Sequence, residues 1–476
     1  LTGQYLNPKD GDTVLTSLDF LQPGKPWPPP EEGERLRLYS QNRKLFEGKH
    51  AEVFDSWIKL LRDDQQATLE IILNWHRRLS TLWADLLLGE PPHITAGDQG
   101  SAEQVAVDRL VDDNGLINTA YEAAIDISRF GTGLFKVGYD GRGIITGQQP
   151  SVWYPVVKPD NIKEITAHVL AYEYKEGEAK YLKAEIHERG KITTTIFLLN
   201  DNTIEAIVDS KELDTGIDDF LVVPANNIIT TDRITGMDDY SDLDSIIQEI
   251  EIRVAQISRI LDKHSDPNMY GPDSALEQDP KTGEWTFRGG GKYFPVSDGE
   301  DAPGYVTWDG QLEAAFKQIE LLMEQLYILS ETSAAAFGQL KLGLAESGTA
   351  LRRLMMAPLA KTNRIRLRFD PALKKVLKLA AALEVAQGMS GAVKLDHINI
   401  DWQDGLPNDD TEITSTTVAQ KDSGLISLES ALRKLHGLEG EALEKEAARI
   451  RADADSEVPL MYRPSLNRED PLAGDD

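Results

Sequence analysis

Two amphipathic stripes flank a polar, turn-rich segment in the second half of the chain. Between residues 243 and 261, apolar side chains recur at alternating steps of four and three, which predicts a helix over residues 241–264: Leu243, Ile247, Ile250, Val254, Ile257 and Leu261. A second stripe predicts a returning helix over residues 311–332: Leu312, Phe316, Ile319, Met323 and Leu326. The segment between them, 265–310, is rich in Gly, Pro and Asp. The pattern therefore predicts a helical hairpin that carries a small β-type insert.

The chain before the hairpin changes from helical to strand-like periodicity. A Pro-rich arm over residues 1–33 comes first and is expected to pack on its own or a neighbouring subunit. Helical spacing follows in three stretches: Glu34–Phe46, Gln65–Leu88 and Ala102–Ser128. From Leu134 to about Val223, β-branched and alternating segments between turn residues predict an antiparallel sheet.

The chain after the hairpin is predicted to be mainly helical. A long helical stretch runs from Glu346 to about Gln387, with a kink or break expected at Pro358 and a second helix start expected at Asp370-Pro371. One strand over Lys394–Trp402 then precedes three helices: Asp410–Asp422, Ser427–Leu435 and Gly440–Ala454. The predicted fold class is therefore α+β, with several domains.

The composition of the chain disfavours or excludes several kinds of protein and several kinds of site. The 476 residues carry 79 Asp and Glu against 50 Lys and Arg, a net charge of -29, which disfavours a protein that grips duplex DNA by releasing counterions. The chain has no cysteine, which excludes disulfides, thiolate metal sites and cysteine nucleophiles. Its apolar runs fall short of a membrane span, and the amino-terminal residues lack the pattern of a signal peptide.

Motifs of catalysis are missing from the sequence. The Gly-Lys pairs lack the spacing of a phosphate loop, and no Gly-x-Ser-x-Gly elbow occurs. The eight histidines lack the short helical spacing of a metal site. The Gly131-Thr132-Gly133 sequence follows a helix and leads into strands, so a tight turn is the expected structure. We therefore expect no enzyme activity, no metal and no cofactor.

One basic stretch contrasts with the acidic chain. Between Arg352 and Lys378 there are nine bases and one acid, a local net charge of +8. A solvated helix face, pairing with acidic surfaces of neighbouring subunits, and contact with a polyanion such as DNA all remain open. Pairing between subunits is favoured over DNA contact because the rest of the chain is so acidic. The residues of this stretch taken as the candidate interface are Arg352, Arg353, Lys361, Arg364, Arg366 and Arg368.

Several local stretches occur in a characteristic order: Gly236–Leu243 continuing through Ser258–Pro267, Ala336-Phe337-Gly338 followed by Glu346–Leu351, Asp401-Trp402 with Leu406–Asp409, and Ser423–Leu432. These stretches and the order of the predicted elements resemble the portal proteins, or head-to-tail connectors, of tailed bacteriophages. No single stretch is diagnostic, and the resemblance rests on the order of the parts, which extends from about Arg129 to Ala454. The insert and the Pro-rich arm have no matching motif.

The resemblance implies a ring of twelve subunits around a central channel, built from named domains. Carried over to this sequence, these are a wing (34–240 with strand 389–410), stem helices (241–264 and 311–332), a clip (265–310), a tunnel loop (333–345), a long kinked helix (346–388), a crown (411–456) and a tail (457–476).

The resemblance also implies a function, site residues and partners. Double-stranded DNA would be packaged and ejected through the ring at one capsid vertex of the virion, after assembly in the host cytoplasm. In the tunnel loop, Gln339, Lys341 and Leu342 would lie near DNA, and in the clip Trp285, Phe287 and Tyr293 would contact a partner. Expected partners are other copies of the chain, the terminase large subunit, a head-tail adaptor, and the major capsid and scaffolding proteins. The alternatives are a different capsid or connector component and a hydrolase that acts through carboxylates.

Overall fold

A computed structural model describes residues 14–54, 71–265, 269–272, 277–278, 280, 283, 285–286, 293–296, 304–305, 312–339, 352–403, 410–438 and 440–456. The chain divides into two compact units, the first made of residues 1–340 and 354–405 and the second of residues 341–353 and 406–476. Within the described ranges, the helices are too short or too polar to cross a bilayer.

The first unit mixes helices with sheets, as predicted. Its helices are α1 (Gly33–Glu47), α2 (Trp75–Leu88), α3 (Ala102–Asp113), α4 (Leu116–Phe130), α5 (Asp244–Ser265), α6 (Leu312–Leu329) and α7 (Met356–Ala386). Its strands are β1 (His93–Thr95), β2 (Thr132–Tyr139), β3 (Gly143–Gln148), β4 (Trp153–Lys158), β5 (Asn161–Glu176), β6 (Ala179–Glu188), β7 (Lys191–Asn200), β8 (Thr203–Asp214), β9 (Val222–Asn226), β10 (Met269–Pro272), β11 (Glu277–Gln278), β12 (Trp285–Thr286), β13 (Tyr293–Val296), β14 (Gly304–Tyr305) and β15 (Asn399–Asp401).

Strands β4 to β8 form a five-stranded antiparallel sheet in sequence order. The Pro-rich segment lies on this sheet: Phe20 and Trp27 are buried against it. The Trp27 indole N–H also donates to Glu173 Oε1 at 2.8 Å, and the Gly24 amide donates to the Ile204 carbonyl at 2.7 Å. The described part of the arm therefore packs on its own subunit, one of the two arrangements expected for it.

A three-stranded antiparallel sheet, ordered β3-β2-β9, packs against α4 and α7. Helix α4 ends at Gly131, whose φ of 77° is the left-handed conformation of a helix C-cap. The predicted tight turn at this glycine is therefore confirmed. The turn also lies against the backbone of Gly236, because a Cβ built on Gly131 would meet the Gly236 carbonyl oxygen at 2.0 Å.

Replacing Gly131 with Ala should destabilise the first unit by about 2–3 kcal/mol, since the new methyl group meets backbone and the residue keeps a positive φ. Urea unfolding followed by circular dichroism measures this. Gly138→Ala is the matched control, because a Cβ there meets nothing within 4 Å. Equal effects of the two substitutions would contradict the assignment of a close backbone contact.

Two helices differ from their predicted extents. The predicted helix over Ala102–Ser128 is two helices, α3 and α4, separated at Gly115, which has a φ of 52°. The helix predicted from Gln65 begins at Trp75, where the Asn74 side chain accepts a hydrogen bond from the Arg77 amide at 2.9 Å. The predicted start at Gln65 lies outside the described residues.

The two prolines of the long helical stretch behave differently. Residues 352–354 are helical, Met355 is a turn and α7 begins at Met356, so the break predicted near Pro358 is confirmed. Pro358 itself lies in the first turn of α7, where an amide hydrogen is not needed. Pro371 lies inside α7, and the prediction of a second helix start there is wrong. The Asp370 carboxylate does not cap a helix: it accepts from the Trp402 indole at 3.0 Å and pairs with Lys374 at 2.8 Å.

The insert and the second unit agree with the predicted element types. In the insert, β10 pairs with β13 in parallel and with β14 antiparallel. The second unit contains α8 (Asp410–Asp422), α9 (Leu428–His436) and α10 (Gly440–Ser456), and α9 packs on α10 through Leu432, Leu443 and Ala447.

Candidate functional site at the base of the helical hairpin

The two long helices α5 and α6 meet α2 in one apolar cluster at the base of the hairpin. The fully buried members of this cluster come from all three helices and the turn before α5: Leu79, Leu243, Ile247, Ile250 and Leu326. Four of the six residues of the first predicted stripe are buried, whereas Leu261 near its end is 52% exposed. In the second stripe Leu326 is buried and Phe316 is exposed. The hairpin is thus packed in this subunit at its base and carries exposed apolar side chains away from it.

A short 3-10 helix, Ala334–Phe337, anchors the segment that leaves α6. Phe337 packs edge-on against Trp75, with ring centroids 5.3 Å apart, and stacks on Tyr327 at 6.0 Å. The Arg78 guanidinium lies 5.8 Å from the centre of the Phe337 ring. Gly338 then ends the turn with a φ of 76°. The first part of the predicted tunnel loop is therefore held by an aromatic anchor.

A buried polar network holds the first half of α5. His50 and Glu251 are both fully buried, and His50 Nδ1 lies 2.7 Å from Glu251 Oε1. His50 Nε2 lies 3.1 Å from the Leu45 carbonyl oxygen, so both ring nitrogens face oxygen atoms of the same subunit. Glu251 Oε1 also accepts from the Leu73 amide at 2.9 Å.

A second histidine, His76 on α2, bonds the Asp244 carboxylate at the first residue of α5, at 2.9 Å. Burial lowers the pKa of His76, and the hydrogen bond to Asp244 opposes that shift without cancelling it. Tyr240 completes the network through its hydroxyl, 2.8 Å from Ser80 Oγ. The base of the hairpin is therefore joined to α2 by polar contacts as well as by the apolar cluster.

The basic stretch on α7 is used mainly inside its own subunit. Lys361 is 4% exposed, and its Nζ lies 2.9 Å from Asp239 Oδ1 and 4.3 Å from the centre of the Trp83 indole. Arg364 pairs with Glu331, which lies two residues beyond the end of α6 and has a positive φ. These two pairs connect α7 to the segment that enters the hairpin before α5 and to the segment that leaves it after α6.

The other basic residues of the stretch are placed differently. Arg366 donates to the carbonyl oxygens of Leu86 and Gln403. Lys375 pairs with Asp219 at 3.0 Å. Arg368 is half-buried and lines a pocket described below. Arg352 and Arg353 are exposed and precede α7. Arg352, Arg353 and Arg368 therefore stay in the proposed interface with other subunits or DNA. Lys361 is buried and pairs inside its own subunit.

The remaining predicted site residues are only partly described. Gln339 is exposed, and its backbone N–H donates to the Ala334 carbonyl oxygen at 3.0 Å. Trp285 and Tyr293 belong to strands β12 and β13 of the insert. Phe287, Lys341 and Leu342 lie outside the described residues. Among the residues that are described, no His, Asp and Glu side chains are grouped in threes as a metal site.

The sequence did not reveal the partners of the predicted site residues, because these partners are remote in sequence. Asp239 and Glu331 are the acids that pair with the basic stretch, and Trp75 is the surface on which Phe337 packs. Phe337 itself had a signal, since it is the one aromatic residue in the segment 333–345 and directly follows three alanines. Asp239 and Glu331 had no such signal, because nothing in the sequence distinguishes them from the other Asp and Glu residues, of which the chain has 79 in total.

Comparisons with known proteins identify a family over most of the chain. The profile of the family described as "Phage portal protein, SPP1 Gp6-like" matches residues 30–460. A chain in the structure "Virion of native gene transfer agent (GTA) particle" is 13% identical, with a TM-score of 0.43, over 88% of this chain and 96% of that one. A chain in "Neck of empty GTA particle computed with C6 symmetry" is 12% identical, with a TM-score of 0.42, over 76% and 90%. No curated protein matches the sequence.

Proposed function

Because the chain belongs to the phage portal protein family, we propose that it forms the ring at one capsid vertex through which double-stranded DNA is packaged and ejected. The observation that carries the proposal is the family match over residues 30–460, which includes the hairpin, the basic helix and the C-terminal helices. Portal proteins are structural components and not enzymes. The ring would serve as the docking platform for the terminase and later for the head-tail connector.

The described elements support an assignment of the portal domains. Helices α5 and α6 form the stem, the small sheets between them form the clip, and α8 to α10 form the crown. The helices and sheets before α5, together with β15, form the wing, since β15 pairs antiparallel with β1. Residues 333–345 form the tunnel loop.

Exposed apolar side chains on the stem support self-association. Phe316, Leu321, Ile328 and Leu329 on α6 are each between 51% and 64% exposed. Several large apolar side chains exposed on one helix are costly in water and are typical of an interface. A repeated heterologous contact between identical copies forms a ring when its rotation closes, and we propose a closed ring of twelve copies.

The net charge of -29 fits a passive conduit for DNA. A duplex that must move through a channel should not be held by many counterion-releasing contacts, so a mainly acidic wall favours passage. In this proposal the terminase large subunit supplies the ATP hydrolysis. The ring also contacts the adaptor, the major capsid protein and the scaffolding protein, in a particle assembled in the host cytoplasm.

Electron microscopy and native mass spectrometry of the purified full chain test the ring. We expect annular particles with a central hole and a mass near twelve copies. Assembly is repeated with scaffolding protein, because a ring can depend on it. A protein that stays monomeric in both conditions at micromolar concentration would contradict the proposal.

A further inference from the structure

A basic pocket of about 430 Å³ opens in the first unit where β5, β9 and the middle of α7 meet. Four basic side chains line it: Lys163, Arg189, Arg368 and Lys375. The acid that lines it, Glu164, is already paired with Lys158. The pocket is therefore positive within a chain whose net charge is -29.

Within the part of the chain that the structure describes, these four bases differ in their partners. Lys375 pairs with Asp219, and the Lys163 ammonium group bonds backbone carbonyl oxygens. The Arg189 guanidinium lies 5.1 Å from the centre of the Phe220 ring. Within the described ranges, neither Arg189 nor Arg368 has an ion-pair partner. Positive charge at a partly enclosed site favours an anionic ligand.

A buried donor lies in the same pocket. His168 lines it and is 3% exposed, with its ring between Trp153, stacked at 5.9 Å, and Phe220, edge-on at 5.0 Å. The Trp153 indole N–H donates to His168 Nδ1 at 3.0 Å, so the ring proton of a neutral imidazole is on Nε2. Burial lowers the pKa of His168 to about 3, which keeps the ring neutral. In the described part of the chain no acceptor bonds to this Nε2–H.

We propose that this pocket binds the carboxylate of an Asp or Glu side chain from a second copy of the chain. Arg368 and Arg189 supply the charge, and the His168 Nε2–H supplies a hydrogen bond at the floor. Apolar walls, including Ile165, Val223 and Pro224, fit the methylene groups of such a side chain.

The depth of the donor favours a side chain over DNA. A duplex presents its phosphates on a rod much wider than one side chain, whereas a flexible carboxylate can reach a residue that is 3% exposed. Each copy also brings 79 Asp and Glu residues to its neighbours. The inference rests on the self-association in the proposed function and adds the chemistry of one contact within it.

Carbodiimide cross-linking of a mixture of ¹⁵N-labelled and unlabelled full-length protein tests the contact. The reagent joins an amine to a carboxylate that already touches it, so a mixed-label product identifies a contact between copies. We expect mixed-label peptides that join Lys163 or Lys375 to an acidic residue. The Lys375–Asp219 pair, 3.0 Å apart in one subunit, gives a same-label product as an internal control of folding.

Charge-changing variants test whether the cross-link between copies depends on this pocket or on surface charge in general. Arg368→Glu should lower the yield of the mixed-label product about tenfold or more, since like charges at a contact are strongly unfavourable. Arg368→Lys should retain most of it. Lys175→Glu makes the same charge change at an exposed position towards the far end of β5 and should have no effect. The same-label product should persist in every variant.

Three results would overturn the inference. Rings without mixed-label products at Lys163 or Lys375, or an unchanged yield in Arg368→Glu, would refute the pocket and leave the ring proposal intact. Loss of the product on addition of a short DNA duplex, with weaker duplex binding by Arg368→Glu, would make a phosphate the ligand. Absence of any association between copies would overturn both proposals, and native mass spectrometry identifies that case.

Discussion

Replacing Lys361 with Met should lower the free energy of unfolding of the first unit by about 3–5 kcal/mol, because it leaves Asp239 as a buried charge without its cation. Lys361 and Asp239 have side chains that are 5% and 7% exposed, so solvent cannot compensate. The Asn227 amide, which donates to Asp239 Oδ1 at 2.9 Å, remains but carries no charge. The midpoint and slope of the urea transition, followed by circular dichroism, give the change.

A second substitution distinguishes the ion pair from the packing of the lysine chain. Lys361→Met combined with Asp239→Asn should regain most of the lost stability, since no uncompensated charge is left. Lys378→Met is the matched control, because Lys378 is on the same helix and exposed, and it should change stability by less than about 0.5 kcal/mol. A loss below about 1 kcal/mol in Lys361→Met would show that Asp239 is not a buried charge.

Lys361 also shows why the basic stretch could not be interpreted from sequence alone. In the sequence it is one of nine bases in 27 residues, and nothing distinguishes it from Lys378. Its burial depends on Asp239 and Trp83, which are remote in sequence and meet it only after folding. A charge run therefore predicts a charged helix, but the partners of each charge depend on tertiary structure.

Features with local causes were predicted closely. The hairpin helices were placed at 241–264 and 311–332, and α5 and α6 occupy Asp244–Ser265 and Leu312–Leu329. Their apolar stripes are determined by spacing within each helix, which a single sequence shows. The pairing of β1 with β15 joins residues about 300 positions apart and had no signal in the sequence.

Helix ends were predicted less well where tertiary packing overrides local preference. Asp370-Pro371 is a typical helix start, yet α7 continues through it because buried residues on both sides hold the helix against the sheet: Phe369, Ala372, Leu373, Val376 and Leu377. Gly115 lies within a continuous apolar pattern, and its left-handed conformation nevertheless separates α3 from α4. Both cases required knowledge of what the helix packs against.

The aromatic anchor makes the tunnel-loop proposal testable without disturbing the stem. Phe337 contacts Trp75 and Tyr327, so a deletion that includes it would expose apolar surface at the base of the hairpin. A deletion of residues 339–344 leaves Phe337 and the Gly338 cap in place. It removes Gln339, Lys341 and Leu342, the residues proposed to lie near DNA.

We expect the protein lacking residues 339–344 to form rings with an unchanged number of subunits. Packaging or retention of DNA should be abolished, because the loop is proposed to contact the duplex in the channel. Native mass spectrometry measures the rings, and DNase-protected DNA in particles made with the cognate capsid and terminase measures retention. Lys341→Ala alone should give a partial loss, since Lys341 is the only charged residue of the loop before Glu346. A Gly-Ser replacement of equal length tests whether loop length or side-chain chemistry matters. If the deletion prevented ring formation while Phe337→Ala did not, residues 339–344 would belong to the subunit interface, and the loop assignment would be wrong.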